Sequence, residues 1–298
     1  MTEGLTTTKA RFIEQARSDG RLYIDQPYEL YSEENQQAWQ TLYRRIRPRW
    51  EQYATRMFLE GVDNVALNPD RVPRLEDINK FLKPLSGFTA KSVSGYIPAF
   101  LFFDCLRQSE FPTTITIRGL DSLDYLPEPD IFHDVAGHVP MHTDLDFARV
   151  LVRFGETCRL AADMATGMSH HKRADWMESV LRAMARFFWF TIEFGLMHED
   201  NALKVYGSGL LSSYGEICHA AESNEIERRP FDLQEVVNQP FEIDHFQPLL
   251  YVVESFEHLF SEVDRLRRWL REGKLDAVAA GQPEVATEDL KSFLSPAV

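Results

Sequence analysis

The segment Asp130-Ile-Phe-His133-Asp134-Val-Ala-Gly137-His138-Val-Pro140 decides how this chain is read. It predicts a helix-like stretch carrying two imidazoles, entered from the proline-rich loop Leu126-Pro127-Glu128-Pro129-Asp130. The helical zinc-protease pattern HExxH sets its histidines four positions apart. Here His133 and His138 are five apart. On a regular helix, five steps of roughly 100° leave two side chains about 140° apart. The pair meets on one ion only if the helix ends or distorts, and Gly137 and Pro140 give it reason to.

Two neutral imidazoles suit iron, zinc, copper or nickel. The strongest candidate for a third ligand is Glu193, in the apolar run Phe188-Trp-Phe-Thr-Ile-Glu193-Phe-Gly-Leu196. A carboxylate buried there costs several kcal/mol, by order of magnitude, unless it is paired or bound to metal. Two histidines and one carboxylate with open positions describe the facial iron(II) site of oxygen-activating enzymes. The alternative is a pairing of Glu193 with Arg182 or Arg186 and two histidines at a helix end. His142, His170, His171, His198, His219, His245 and His258 have no comparable setting. Gly207-Ser-Gly209 lacks the preceding strand and third glycine of a dinucleotide fingerprint.

Outward from this centre the periodicity is helical. Trp39, Leu42, Tyr43, Ile46, Trp50, Tyr53 and Met57 recur at three- and four-residue spacing and predict a helix over 33–60. Further helices are expected over 75–82, 146–163, 175–198 and 250–272, with a loop over 93–98 feeding an apolar helix to Leu106. Thr113-Thr-Ile-Thr-Ile117 reads as a short strand. A glycine- and serine-rich loop is expected over 201–215. Residues 1–25 read as a polar N-terminal segment, 26–275 as one catalytic domain, and 276–298 as a disposable C-terminal tail. The fold class expected is mainly α, a single helical domain with a few short β-strands.

Composition narrows the partners. The 298 residues carry 32 Lys and Arg against 46 Asp and Glu, a net charge of −14. That is poorly suited to a phosphate backbone, so no nucleic acid is expected. No apolar run approaches the roughly 18 residues that span a bilayer, so no membrane partner is expected either. Three scattered cysteines without a CxxC pattern and an N-terminus without an apolar stretch fit a cytoplasmic protein. Oligomeric state, monomer or dimer, stays open; the apolar stripe of the last long helix is explained by packing on its own domain.

With those residues in view, the chain resembles the pterin-dependent aromatic amino acid hydroxylases. Residues 127–140 are similar to that family's signature around two iron-binding histidines, and 189–196 to its segment with the iron-binding glutamate. Tyr206-Gly-Ser-Gly-Leu-Leu-Ser-Ser-Tyr-Gly-Glu216 and Phe246-Gln-Pro-Leu-Leu-Tyr-Val-Val-Glu-Ser-Phe256 resemble two further blocks. The likeness runs in order from about 85 to 260, and the short bacterial members match best in length.

The resemblance implies the family's helical catalytic domain and Fe(2+) bound by His133, His138 and Glu193. It implies tetrahydrobiopterin near Val93, Gly95, Ile97 and Phe102, with Phe102 stacking on the pterin and Asp134 beside it. It implies an aromatic amino acid held by Arg118 through its carboxylate. Asp130 supports that arginine, Ser212 lies close by, and Pro129, Trp189, Phe194 and Gly209 form the pocket walls. The implied reaction hydroxylates the ring of a free L-amino acid with O2, L-phenylalanine to L-tyrosine first. The same chemistry on L-tryptophan, or at ring position 3 of phenylalanine, is the near alternative. A zinc metallohydrolase and a silent binding module are the distant ones. Two departures bear on substrate choice: Leu126 stands where animal members have a hydroxyl residue, and Phe188 where a tyrosine is common. No counterpart of the animal regulatory domain is seen, so substrate activation through such a domain is not expected.

Overall fold

The computed structural model describes residues 5–6, 10–95, 97–123 and 129–293, apart from the side chains of His170 and His171. Helices dominate. Ser32 caps the first long one, α2 (Glu33–Tyr53), through the Asn35 N–H, after a short α1 (Arg11–Ser18). α3 (Arg56–Asn64) and α4 (Leu75–Ser86) follow, then β1 (Thr89–Ser92), α5 (Ala99–Arg107) and β2 (Glu110–Thr113). After a π-helical turn over Phe132–His138 come the long helices α6 (Leu145–Thr166) and α7 (His170–Phe188). α7 runs directly into a second π turn, Trp189–Glu193. The C-terminal part holds β3 (Leu196–Glu199), β4 (Ala202–Val205), α8 (Ser208–Leu211), α9 (Tyr214–Glu222) and β5 (Glu227–Pro230). It ends with α10 (Leu233–Val236), β6 (Leu249–Val253), α11 (Phe256–Arg271) and α12 (Thr287–Phe293).

β1 and β2 pair in parallel, with Thr89 opposite Glu110. The other sheet has the order β4-β3-β6-β5, antiparallel only between β3 and β4. A continuous apolar core joins helices and sheet, with Trp39, Trp50, Phe58, Phe111, Phe132 and Phe154 among its largest members. Burying rings of this size dominates the stability of such a core, and edge-to-face contacts add to it. Trp39 meets Phe132 this way at 5.1 Å, so α2 backs the histidine-bearing turn.

Several elements differ from the sequence reading. The helix expected over 33–60 is two helices, broken at Ala54 and Thr55, where the Thr55 N–H donates to Val205 O. The strand expected over 113–117 ends at Thr113, because the Thr114 N–H turns to the Asp134 carboxylate instead of a ladder. The helix expected to reach His198 stops at Glu193, and Leu196–Glu199 is a strand. The supposed loop over 201–215 contains β4 and α8. Leu249–Val253, read as the start of a long helix, is a strand between β3 and β5; Ser255 then caps α11.

The two ends are also more structured than their composition suggested. α1 buries Ile13 and Ala16, and Ile13 packs with Ala10 on Ile115. Residues after Gly273 are no disposable tail. The carbonyls of Ala279, Ala280 and Gln282 accept from the fully buried Arg186 guanidinium. Phe293 packs on Phe100 at 4.9 Å, and Asp289 accepts the Ala99 N–H at the start of α5.

Candidate active site

The two π turns solve the spacing problem. A π turn closes i→i+5, so residues five apart lie on one side of it. Phe132–His138 takes this form and brings His133 and His138 together, Nε2 to Nε2 3.1 Å, with their rings at 85°. Gly137 is required there: a Cβ would lie 2.9 Å from Ser208 O and 3.2 Å from Ser212 Cβ, so only glycine lets α8 approach. At the second turn the Phe194 N–H donates to Trp189 O at 2.8 Å and swings Glu193 toward the histidines.

Glu193 Oε1 lies 3.1 Å from His138 Nε2, and Oε2 lies 3.6 Å from His133 Nε2. Ser208, a residue the sequence reading passed over, bridges the set. Its hydroxyl lies 2.9 Å from His138 Nε2 and 2.9 Å from Glu193 Oε2. Ser212 Oγ lies 3.3 Å from Gly209 O and 2.8 Å from His133 Nδ1; when the hydroxyl donates to the carbonyl it accepts from Nδ1–H, the tautomer that presents a bare Nε2. Neither arginine once considered for Glu193 reaches it. Arg182 pairs with Glu178, and Arg186 is spent on backbone carbonyls.

Burial pushes the His133 imidazole down to about 4, against the pull of Glu193. Burial also pushes the Glu193 carboxyl up, but the nearby His138, His133 and Ser208 outweigh it and hold it down to about 2. Near neutral pH His133 is therefore a neutral donor and Glu193 an anionic one. The His133 and His138 Nε2 atoms, 3.1 Å apart and facing the Glu193 carboxylate, are close enough together to share one cation. The donor chemistry fits a divalent transition metal with nitrogen and oxygen ligands. The only other such grouping among the described residues, Glu242, Asp244 and His245, is exposed.

His133, Glu193 and Ser212 line a cavity of about 370 Å³, with His138 directly behind them. The residues expected around the pterin, Val93, Gly95, Ile97, Phe102 and Asp134, line it. So do Arg118, Pro129, Trp189, Phe194, Gly209 and Ser212, expected around the substrate. Leu126, also expected there, lies outside the described residues. Trp189 is fixed between Phe194, at 4.4 Å, and Phe241, stacked at 4.1 Å. Phe102 meets Phe188 edge-on at 5.6 Å. Asp134 is gripped by the Thr114 N–H at 2.6 Å and hydroxyl at 2.8 Å, yet burial still pushes its carboxyl up to about 7.

Arg118 is a buried guanidinium in a two-pronged pair with Asp130: Nε to Oδ2 at 2.8 Å and Nη2 to Oδ1 at 2.9 Å. Asp130 also accepts the backbone N–H groups of Arg118 and His133, and so ties this arginine to the histidine turn. Burial raises the Asp130 carboxyl, but Arg118 overrides that and keeps it below the ordinary range. Sequence reasoning missed Ser208, Thr114, Phe241 and Glu216. The serine and threonine have common identities, and only their partners mark them out.

A helical domain whose two π turns bring two imidazoles and one carboxylate together beside an aromatic cavity has the donor set of the non-haem iron oxygenases. Residues 25–274 match the biopterin-dependent aromatic amino acid hydroxylase family, and the chain belongs to it. The phenylalanine-4-hydroxylase of Caulobacter vibrioides is 38% identical over 236 residues, covering 79% of this chain and 76% of that protein. The structure of Chromobacterium violaceum phenylalanine hydroxylase with bound iron(III) and oxidised 7,8-dihydrobiopterin matches with a TM-score of 0.77 at 31% identity, over 93% of this chain and 97% of that one. The iron- and phenylalanine-bound structure of the same protein matches with a TM-score of 0.74 at 31% identity, over 89% and 92%.

Proposed function

We propose that the enzyme hydroxylates free L-phenylalanine to L-tyrosine with O2 and tetrahydrobiopterin, at an iron(II) held by His133, His138 and Glu193. The observation that carries this reading is the convergence of those three donors, two of them lining a cavity with aromatic rings and one buried guanidinium. Held by these three side chains, iron(II) would, together with reduced pterin, supply the activation of O2 needed to hydroxylate an aromatic ring.

The chain's own residues bind, orient and exclude. Ser212 holds the His133 ring in the tautomer that presents Nε2. Ser208 positions both His138 and Glu193. Phe102 offers a flat apolar face to the pterin, and Asp134, fixed by Thr114, offers a carboxyl group to the pterin ring. Arg118 takes the substrate carboxylate by a charge-assisted bond, in an orientation set by Asp130. Trp189 and Phe194 hold the phenyl ring and keep water from the reacting carbon. The pair is already pre-organised, so little ordering entropy is spent on binding.

Among the described residues, no helix is long and apolar enough to cross a membrane. Three free cysteines, two of them buried, support a reducing compartment, the cytoplasm. The test is O2 uptake with iron(II), reduced pterin and phenylalanine, tyrosine or tryptophan in turn, with products separated chromatographically. Uptake coupled to tyrosine formation from phenylalanine is expected. Tyrosine-free turnover, or activity with zinc and no O2 uptake, overturns the reading.

A further inference from the structure

Ser213-Tyr-Gly-Glu216 opens α9 and has the form of a capping box. In such a box the serine accepts the glutamate N–H, and the glutamate carboxyl returns to the serine N–H. Only the first half is made here. Ser213 Oγ accepts the Glu216 N–H at 3.3 Å, while the Ser213 N–H goes to Leu210 O. Glu216 instead lines the cavity with Arg118 and His133. It is 7% exposed, and a backbone N–H of Gln247 is what it receives. No lysine, arginine or histidine among the described residues neutralises it. Burial accordingly pushes the carboxyl up to about 7.

The other acids of the site are committed. Asp130 is spent on Arg118, Glu193 faces the two imidazoles, and Asp134 is held by Thr114. Even the nearby His245 is turned to Asp244. The substrate of the proposed reaction brings one negative and one positive group to this cavity. Arg118 answers the first. We propose that Glu216 receives the α-ammonium of the amino acid, and thereby selects amino acids over aromatic acids that lack the amine. The inference rests on the reading of the substrate as a free aromatic amino acid. It predicts one charge-assisted contact made by phenylalanine and absent from 3-phenylpropanoate, which keeps the ring and the carboxylate.

The experiment compares binding of L-phenylalanine and 3-phenylpropanoate to the iron(II)-loaded enzyme by calorimetry, for the wild type and for Glu216→Gln, a change of charge at nearly constant volume. Phenylalanine binding is expected to weaken roughly ten- to a hundredfold in the variant, the worth of a hydrogen bond to a charged group. Binding of 3-phenylpropanoate is expected to change less than about threefold, which shows at once that the cavity is intact. In turnover the loss falls mainly on KM, with kcat held. Equal weakening of both ligands, or no weakening of either, overturns the role of Glu216 alone. A wild-type enzyme that binds no phenylalanine overturns the substrate reading, and this inference with it.

Discussion

At the junction of α5 and α6, Asp104 is 1% exposed and receives Arg107 Nε at 2.9 Å and Arg159 Nη2 at 2.6 Å. In the cavity, Glu193 is also surrounded by apolar rings, but the groups facing it are imidazoles, with an arginine nowhere in reach. Both acids bear the cost of leaving water, and they recover it differently. Asp104 is closed: two guanidinium groups satisfy it within the chain. Glu193 is open: what answers it is a pair of imidazoles, and the three side chains together present their donor atoms to one cation. A buried acid answered by arginine is scaffold, and a buried acid left to imidazoles is a site. Asp130 stands between the two, closed by Arg118 yet part of the cavity because that arginine has further donors to offer.

The sharpest way to break this contrast is Glu193→Ala. It removes one donor of three, and the variant is expected to retain almost no iron after gel filtration, with activity lost accordingly. Metal analysis reads the result, and near-stoichiometric iron counts against the assignment. Folding is expected to survive, because no arginine is stranded by the change. Arg118→Ala reverses that expectation. It leaves Asp130, 1% exposed, without its cation. Removing one partner of a buried pair costs about 3–5 kcal/mol, and urea unfolding should show a loss of that order. A loss below about 1 kcal/mol would place Asp130 among the open acids instead.

The open and closed acids were not equally legible in the sequence. Glu193 stood out because a lone acid in an aromatic run violates the burial rule, and the histidines because five-residue spacing forbids a regular helix. Gly137 and Pro140 marked an irregular helix but not its π form, and what the sequence did not show is how closely Gly137 meets α8. Helices such as α4 and α6 declared themselves by periodicity. β6 did not, since Leu249-Leu-Tyr-Val-Val253 is a short apolar run that fits helix or strand equally, and its two flanking strands decide. Glu216 was hidden by a local motif that the chain half uses. The segment after Gly273 was hidden by sparse apolar residues: what holds it is the demand of Arg186 for carbonyls and of Phe100 for a ring, both set far upstream.

Asp104→Asn tests the closed acid and gives the smallest effect. The side chain keeps its shape and its amide oxygen can still accept from the Nε of Arg107 and Arg159, but its NH2 then faces Arg159 Nη2, so about 1.5–3 kcal/mol is expected at neutral pH, with iron content and KM unchanged. The dependence on acid is more telling than the size. Burial raises the Asp104 carboxyl, but the hydrogen bonds and charges of Arg159 and Arg107 more than reverse this, so it titrates below the ordinary range in the folded chain. A group depressed on folding adds stability that is fully present above its unfolded pKa, about 3.9, and is lost as pH falls through the folded value. The gap in urea midpoint between wild type and Asp104→Asn should therefore be constant from pH 7 to about 5 and close below about 4. Other acids titrate in the same window, but they are common to both proteins and cancel in the difference. A gap that persists undiminished at pH 3 would mean that Asp104 is held by its packing alone, and the arginine pair would no longer distinguish scaffold from site.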